Sequence, residues 1–288
     1  MTNVSIGTLS LYEIFAYFFF YAFLGWIAEV CYHAIKRGDF ANRGFLNGPL
    51  CPIYGCGVTL ILLILGNRAE TPWAVLLIGI ALPTLLELVG GWAMETFFHN
   101  KWWDYSDRKL NFKGYICLEF SILWGLAAVC VICVLHPPIK RLTNLIPDPY
   151  ATVVISVLLA AFVADIVVTV LQLCKFNSKL KELDEVTRFM RAGSDAVGKK
   201  LAEATIAVGE KTGEAKEKLA KAHEKAVDAI VEKMPKRILN AFPTLRSRKN
   251  PNAVPLAKES AKRIRLRKRN RAKTGAENDN GGGAENTD

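Results

Sequence analysis

The sequence predicts an all-α fold: a polytopic membrane helix bundle of about five spans, with a Gly/Pro-rich broken loop and a charged helical or disordered C-terminal tail. Three observations predict it. Of 288 residues, 51% are hydrophobic, and residues 1–175 hold most of the long apolar runs. Each such run is too long and too evenly apolar to be one face of a water-facing amphipathic helix. The remainder is rich in Lys, Glu, Ala and Arg, which marks a water-exposed region joined to a membrane domain. The expected organisation is a membrane domain over 1–175, a charged amphipathic helical segment over 176–234, and a basic then acidic flexible tail over 235–288.

The spans follow in order. A hydrocarbon core of ~30 Å takes about 20 helical residues. Leu11–Ile35, Trp73–Phe98, Tyr115–Leu135 and Tyr150–Leu173 meet that length. Pro52–Leu65 is shorter and fits as a span only if the segment before it already enters the membrane. That segment, Lys36–Gly57, reads KRGDFANRGFLNGPLCPIYGCG. Glycine opens backbone angles closed to other residues, and proline cannot continue a hydrogen-bonded ladder. The stretch is therefore expected as irregular backbone that other helices must cover. Met1–Ser10 carries no charge, so it lacks the basic start of a cleavable signal.

Lys and Arg near the span ends set the expected orientation. Lys36, Arg37 and Arg43 follow the first span, and Lys101, Arg108, Lys109 and Lys113 follow the third. Lys236–Lys273 holds 14 Lys or Arg against the single acid Glu259. All three regions fall on one side of a five-span chain. The expected protein lies in the cell membrane with its N-terminus outside and its C-terminus in the cytoplasm.

Acids inside apolar spans carry the functional signal, because a carboxylate at mid-bilayer costs about 2.5–3.5 kcal/mol on insertion scales. Glu29 and His33 share a helix face, and Glu87 and Glu95 share another two turns apart. The inferred topology places Glu29, His33, Glu95 and Glu119, with Arg43 and Asp104, near the inner leaflet beside the Gly/Pro loop. Glu29, His33, Asn42, Arg43, Glu87, Glu95, Asp104 and Glu119 are therefore the candidates for a substrate-binding or polar pocket, with static ion pairing as the competing explanation. Gly44, Gly48, Pro49, Pro52, Tyr54, Gly55, Trp103 and Tyr105 form the accompanying structural motif. Glu13 and Asp165 read as interfacial or packing residues. Trp102, Trp103 and Tyr105 suit an aromatic belt, although Asp104 between them does not. The small residues Gly90, Gly91, Ser121 and Gly125 suit helix packing.

The runs FLGWIAEVCYHAIKRGDFANRGFLNGPLCPIYGCG, LLELVGGWAMETFF, WWDYS and GYICLEFSILWG resemble the Putative ABC-transporter type IV family, the CmpB-like permeases, over about Phe15–Val134. The resemblance implies a multi-pass permease-like protein whose ATPase is a separate chain. It reaches Gly25, Trp26, Trp124 and Gly125 as well as the motif residues above. The charged tail lies outside the pattern.

Other motifs do not carry chemistry. Gly193–Lys200 reads GSDAVGKK, but Lys200 stands where a phosphate loop needs a hydroxyl, and no strand precedes it. Cys130 and Cys133 lie in an apolar helix without a basic neighbour to lower a thiol pKa. The seven cysteines and four histidines show no metal-ligand spacing. No catalytic residue, metal or cofactor is assigned. In the tail, Leu180, Leu183 and Met190, and then Leu219, Ala222, Ala226 and Ile230, are expected as apolar stripes, with glycines at 193, 198, 209 and 213 between them and Pro235 as the stop. The run Lys262–Lys273 is expected to be disordered, with anionic lipid as its partner ahead of nucleic acid. Two functional classes stand beside the permease, with its ATPase and its membrane partner or self-association: a membrane-embedded enzyme acting on a lipid or amphipathic substrate, and a scaffold using the basic tail.

Overall fold

The computed structural model describes residues 5–38, 40–66, 71–204 and 211–280, with the side chains of Arg37, Asp148, 193–204, 211–216 and 271–280 left out. Helix α1 spans Leu11–Arg37, α2 Pro52–Leu65, α3 Pro72–Phe98, α4 Leu118–Cys130, α5 His136–Asn144 and α6 Asp148–Ala204. Then follow α7 (Lys211–Glu232), α8 (Lys236–Ala241) and α9 (Ala253–Asn280). Strands are confined to two-residue pieces, including the hairpins 5–10 and 111–117. The phosphate-loop-like run 193–200 lies within α6, but its side chains are outside the described residues, as are Arg68 and the end of the acidic tail.

Local chemistry sets the helix ends. Ser10 and Glu13 form a capping box at the start of α1: the Ser10 amide donates to Glu13 Oε2 at 2.8 Å, and the Glu13 amide donates back to Ser10 Oγ at 3.2 Å. Glu13 is thus a cap. Gly38 closes α1 at φ 74°, the left-handed position that suits glycine. Pro52 and Pro72 open α2 and α3, where a missing N–H costs nothing. Inside α3, Pro83 interrupts the ladder, and the Thr84 hydroxyl bonds the Ile80 carbonyl at 2.6 Å. Between α4 and α5, Val131–Leu135 widens into a π turn. Pro137 and Pro138 follow immediately, and each removes a ladder donor and crowds the preceding turn.

Among the described residues, four helical stretches are long and apolar enough to cross a membrane: Leu11–Lys36, Pro72–Phe98, Leu118–Asn144 and Pro149–Ala192. The fourteen residues of α2 rise only about 21 Å. Of the most apolar window in the Pro149–Ala192 helix, just 11% is buried in the protein. Trp73, Leu77, Trp92, Val153, Val157 and Leu171 are all exposed. Apolar surface on that scale is incompatible with water and fits lipid. The chain is a multi-pass membrane protein.

Within these spans α1 is the centre. One of its faces places Tyr17 and Tyr21 in a buried cluster with Ile61 and Leu62 of α2, Val75 of α3 and Ala128 of α4. Another places Tyr12, Ala16 and Phe19 against Ala151 and Ile155 of α6, and Phe162 meets Phe18 and Phe19 at ring distances of 5.3 and 5.9 Å. Close approach explains two glycines. A Cβ on Gly55 would collide with the Phe18 carbonyl of α1, and one on Gly125 with Ile80 of α3. Gly91 packs against Tyr115, but Gly90 faces open space, so only one of that pair serves packing.

The loop between α1 and α2 is irregular, as its glycines and prolines predict, and it is tied down by side chains. Asn42 Oδ1 accepts from Trp26 Nε1 at 2.8 Å and from the Gly44 amide at 3.1 Å, and its Nδ2 donates to the Asn47 carbonyl at 2.7 Å. Asp165 of α6 accepts from the Asn47 amide at 3.0 Å, the Gly48 amide at 2.7 Å and Asn47 Nδ2 at 3.1 Å. Asp165 is therefore a backbone anchor, which its reading as a packing residue did not anticipate. The Cys51 amide donates to the Ala22 carbonyl at 2.9 Å, which seats the end of the loop on α1.

The chain divides into two units, residues 1–173 with 240–245, and residues 174–239 with 246–288. The short segment Asn240–Leu245, in the stretch expected to be a flexible tail, belongs to the unit of the spans. Phe242 meets buried Trp102 edge-on at 4.4 Å, and Thr244 Oγ1 donates to the Trp102 carbonyl at 3.2 Å.

In the second unit, the buried face of α7 is Val227, Ile230 and Val231; of the expected stripe Leu219, Ala222, Ala226 and Ile230, Ile230 is buried while Ala222 is exposed. The basic run expected to be disordered is helical within α9, because acids meet it. Asp228 accepts from Ser260 Oγ and Arg263 Nη2 at 2.7 Å and from Arg267 Nη1 at 2.9 Å, while Glu224 pairs with both arginines. Burial pushes the Asp228 carboxyl upward, but the bonds from Arg263 and Ser260 outweigh it and hold the group below its usual range.

Two outcomes follow. Asp165→Ala leaves three N–H donors without their acceptor, and detergent-solubilised protein should lose on the order of 2 kcal/mol in thermal or denaturant unfolding. Unchanged stability would rule out the anchor. For Asp228 the folded group sits below its unfolded value, so its stabilisation is complete above the ordinary carboxylate range and fades as pH falls through the lowered value. Protection factors of the α9 amides, corrected for the intrinsic pH dependence of exchange, should stay flat from neutral pH to about pH 5 and fall below about pH 4; in Asp228→Asn they should be low at every pH.

Candidate functional site

Arg43 stands in the anchored loop and reaches across to α1. Its Nη1 lies 3.5 Å from Glu29 Oε2, and its guanidinium sits 5.9 Å from the Tyr32 ring centroid. The contact is single-pronged, and Arg43 Nε is buried with no hydrogen-bond partner among the described residues. The other oxygen of Glu29 accepts from Tyr54 Oη of α2 at 2.7 Å. His33, one turn beyond Glu29, is buried. Asn42 completes this layer as the loop's internal brace. Glu29, Asn42, Arg43 and Tyr54 are thus brought together from three consecutive elements.

A second layer adjoins the first. Glu87 is 7% exposed, at about the middle of α3. Tyr105 Oη donates to its Oε1 at a long 3.4 Å, while Oε2 is buried without a partner. The Tyr54 ring meets Trp124 of α4 edge-on at 5.5 Å. Trp124 stands near enough to Glu87 to act on it, yet its Nε1 reaches no acceptor at hydrogen-bonding geometry. Tyr105 stacks on Phe120 at 4.8 Å. Burial pushes the Tyr105 hydroxyl up, followed by the charges of Glu87, Cys117 and Glu29, so Tyr105 stays protonated and a donor. The same interactions bring Glu29 and Glu87 into electrostatic range of one another.

The remaining candidates have local partners. Glu95 accepts from Tyr115 Oη at 2.6 Å. Asp104 accepts from Ser106 Oγ at 2.5 Å and from the Ser106 amide at 3.1 Å, and pairs with Lys101 at 3.0 Å. Burial raises the Asp104 carboxyl, but the bonds from Ser106 and Lys101 win and hold it below its usual value. Glu119 pairs with Arg108 at 3.1 Å and both are exposed. These three acids brace the segment between α3 and α4. Trp103 does the same, its Nε1 donating to the Tyr115 carbonyl at 2.8 Å. The aromatics of this segment are parts of the fold, with Trp102 buried and Tyr105 directed at Glu87.

The motif glycines and prolines sit where the chain turns. Gly44 and Gly48 donate their amides to Asn42 and Asp165, Pro49 falls in the stretch between that anchor and α2, and Pro52 and Gly55 open and seat α2. Three residues gain importance over their sequence reading. Tyr54 and Tyr105 stood there as structural motif, and both touch the carboxylates. Asp165 stood apart, although Thr169 four residues on bonds it at 3.3 Å, an i, i+4 polar pair on an apolar helix that was visible in the sequence. No group of three His, Cys, Asp or Glu arranged to hold a metal occurs among the described residues.

Residues 16–170 match the family described as Putative ABC-transporter type IV. No curated protein and no solved structure matches the chain. The matched stretch is more than half of the 288 residues, and it runs from the centre of the α1 packing to just beyond the Asp165 anchor. It includes the loop and both layers of buried polar groups. The chain belongs to the Putative ABC-transporter type IV family and is an integral membrane protein of transporter type.

Proposed function

We propose that this chain is the membrane subunit of a transport system that works with a separate ATPase subunit. The loops after α1 and α3 and the C-terminal region would lie in the cytoplasm, and the N-terminus outside the cell membrane. One observation supports it above the rest. In a bundle whose buried groups are mostly apolar, Arg43, Glu29, Tyr54 and Tyr105 bring polar groups from four chain segments, partly buried, toward buried Glu87 of a fifth. Three of the buried polar atoms there, Arg43 Nε, Glu87 Oε2 and Trp124 Nε1, meet no hydrogen-bond partner among the described residues. Static ion pairing leaves few such atoms, because each costs about 1–3 kcal/mol. A site that waits for a ligand retains them.

Arg43 is the recognition element in this reading. Its contact to Glu29 uses one nitrogen at 3.5 Å, so the planar fork is under-used and suits a carboxylate or phosphate of the cargo. Lys keeps the charge and loses the fork. Arg43→Lys should therefore leave an inserted protein of near-normal stability and reduce transport by about tenfold or more. Equal loss of stability and transport would assign the residue to the fold alone. The subunit reading itself is tested by affinity purification of the full-length chain from native membranes. A cytosolic ATPase recovered in stoichiometric amounts supports it, and a lipid product formed by the purified chain alone overturns it. The basic face of α9 suits anionic lipid in the same arrangement. Binding to anionic vesicles should fall with rising salt and be lost when Arg265, Lys268 and Arg269 are changed to Gln.

A further inference from the structure

Among the candidate acids, Glu87 differs from the others. Glu29 has Arg43 at 3.5 Å, Asp104 has Lys101 at 3.0 Å and Glu119 has Arg108 at 3.1 Å. Glu95 receives a 2.6 Å bond from Tyr115. Glu87 has one long bond of 3.4 Å from Tyr105, no ion pair among the described residues, and a buried oxygen with no partner. It lies eleven residues before the end of α3, about 16 Å along the helix. An unpaired carboxylate at that depth is costly, and such groups resolve the cost by taking up a proton.

We propose that Glu87 is a proton-binding site, and that seating Arg43 on Glu29 favours release of its proton. The groups facing Glu87 are few. Glu29 comes from α1, Tyr54 from α2, Tyr105 from the segment between α3 and α4, and Trp124 from α4. On its own helix, Glu95 lies two turns further along. Glu29 is the acid that acts on Glu87 from outside α3. Its charge is partly cancelled while Arg43 sits against it and is uncancelled when Arg43 leaves. A neighbouring negative charge favours the neutral form of a carboxyl. Arg43 leaving thus favours a proton on Glu87, and Arg43 returning favours its release as H⁺ to water. The linkage is reciprocal, so protonation of Glu87 biases the loop that carries Arg43. An anionic cargo that draws Arg43 from Glu29 would be accompanied by a proton. The inference rests on the transport reading only for that last step.

Infrared difference spectroscopy on the full-length protein in liposomes, stepped through pH, tests it without any transport. The expected result is a neutral carboxyl C=O band near neutral pH that vanishes on alkalinisation and is missing in Glu87→Gln. Its midpoint should move in opposite directions in two variants that keep Glu87. In Arg43→Gln the band should persist to a pH higher by about one unit, a tenfold change; in Glu29→Gln it should vanish at a pH lower by a similar amount. These two shifts identify the band even where Glu87→Gln fails to fold. Absence of a neutral carboxyl band, or a midpoint unmoved in both variants, overturns the proposal. So does a band that appears only when Na⁺ and K⁺ are removed, because the site then holds a metal cation. A protein that shows the band and the shifts but transports nothing overturns the permease reading and leaves this one intact.

Discussion

The Asp165 carboxylate holds the structure's least regular backbone in place. Between α1 and α2 the chain abandons hydrogen-bonded secondary structure beside an apolar helix bundle, where every unpaired amide is expensive. Asp165 takes the Asn47 and Gly48 amides, Asn42 takes the Gly44 amide and the Trp26 indole, and the Ala22 carbonyl takes the Cys51 amide. Those bonds tie the loop to α1 and α6, and Gly55 of α2 is pressed on Phe18. Arg43 is then carried to Glu29. The packing of α2 on Tyr17 and Tyr21 of α1 and the loop's anchoring to Asp165 together set where Arg43 stands.

The buried charges follow from that geometry. A charge in low dielectric finds a partner or loses its ionisation. Most acids here have found one nearby, and those contacts also build the connection between α3 and α4. The cluster of Glu29, Arg43, Tyr54, Glu87 and Tyr105 joins five chain segments through its polar groups. The two tyrosines tie separate helices to the carboxylates by their hydroxyls, and their rings pack on Trp124 and Phe120. Beside those ring contacts, Arg43 Nε, Glu87 Oε2 and Trp124 Nε1 have no hydrogen-bond partner among the described residues.

The helix bundle was legible because apolar run length and proline position act locally. The spans, the irregular loop and the start of α2 at Pro52 all follow from such terms. The aromatic belt assigned to Trp102, Trp103 and Tyr105 was less secure, since an aromatic residue after a span suits the interface and the interior equally. The order of the basic run in α9 depends on Asp228 and Glu224, more than thirty residues earlier, and charge counting along the chain has no access to that partner. The same holds for Asn240–Leu245, whose Phe242 is an ordinary apolar residue until Trp102 is placed beside it.

By itself the sequence determined that this protein crosses a membrane several times, that its backbone breaks between Gly38 and Pro52, and that acids and Arg43 stand where apolar residues are expected. Hydrophobic free energy scales with local apolar area, and backbone permission is a property of single residues, so both are written along the chain. Which acid meets which cation was decided only by the tertiary structure. Glu29 could be matched to Arg43 or to other bases by depth alone, and Asp165 had no assigned partner until α6 came against the loop. Pairing energies depend steeply on separation and burial, and those quantities exist only once helices distant in sequence have packed.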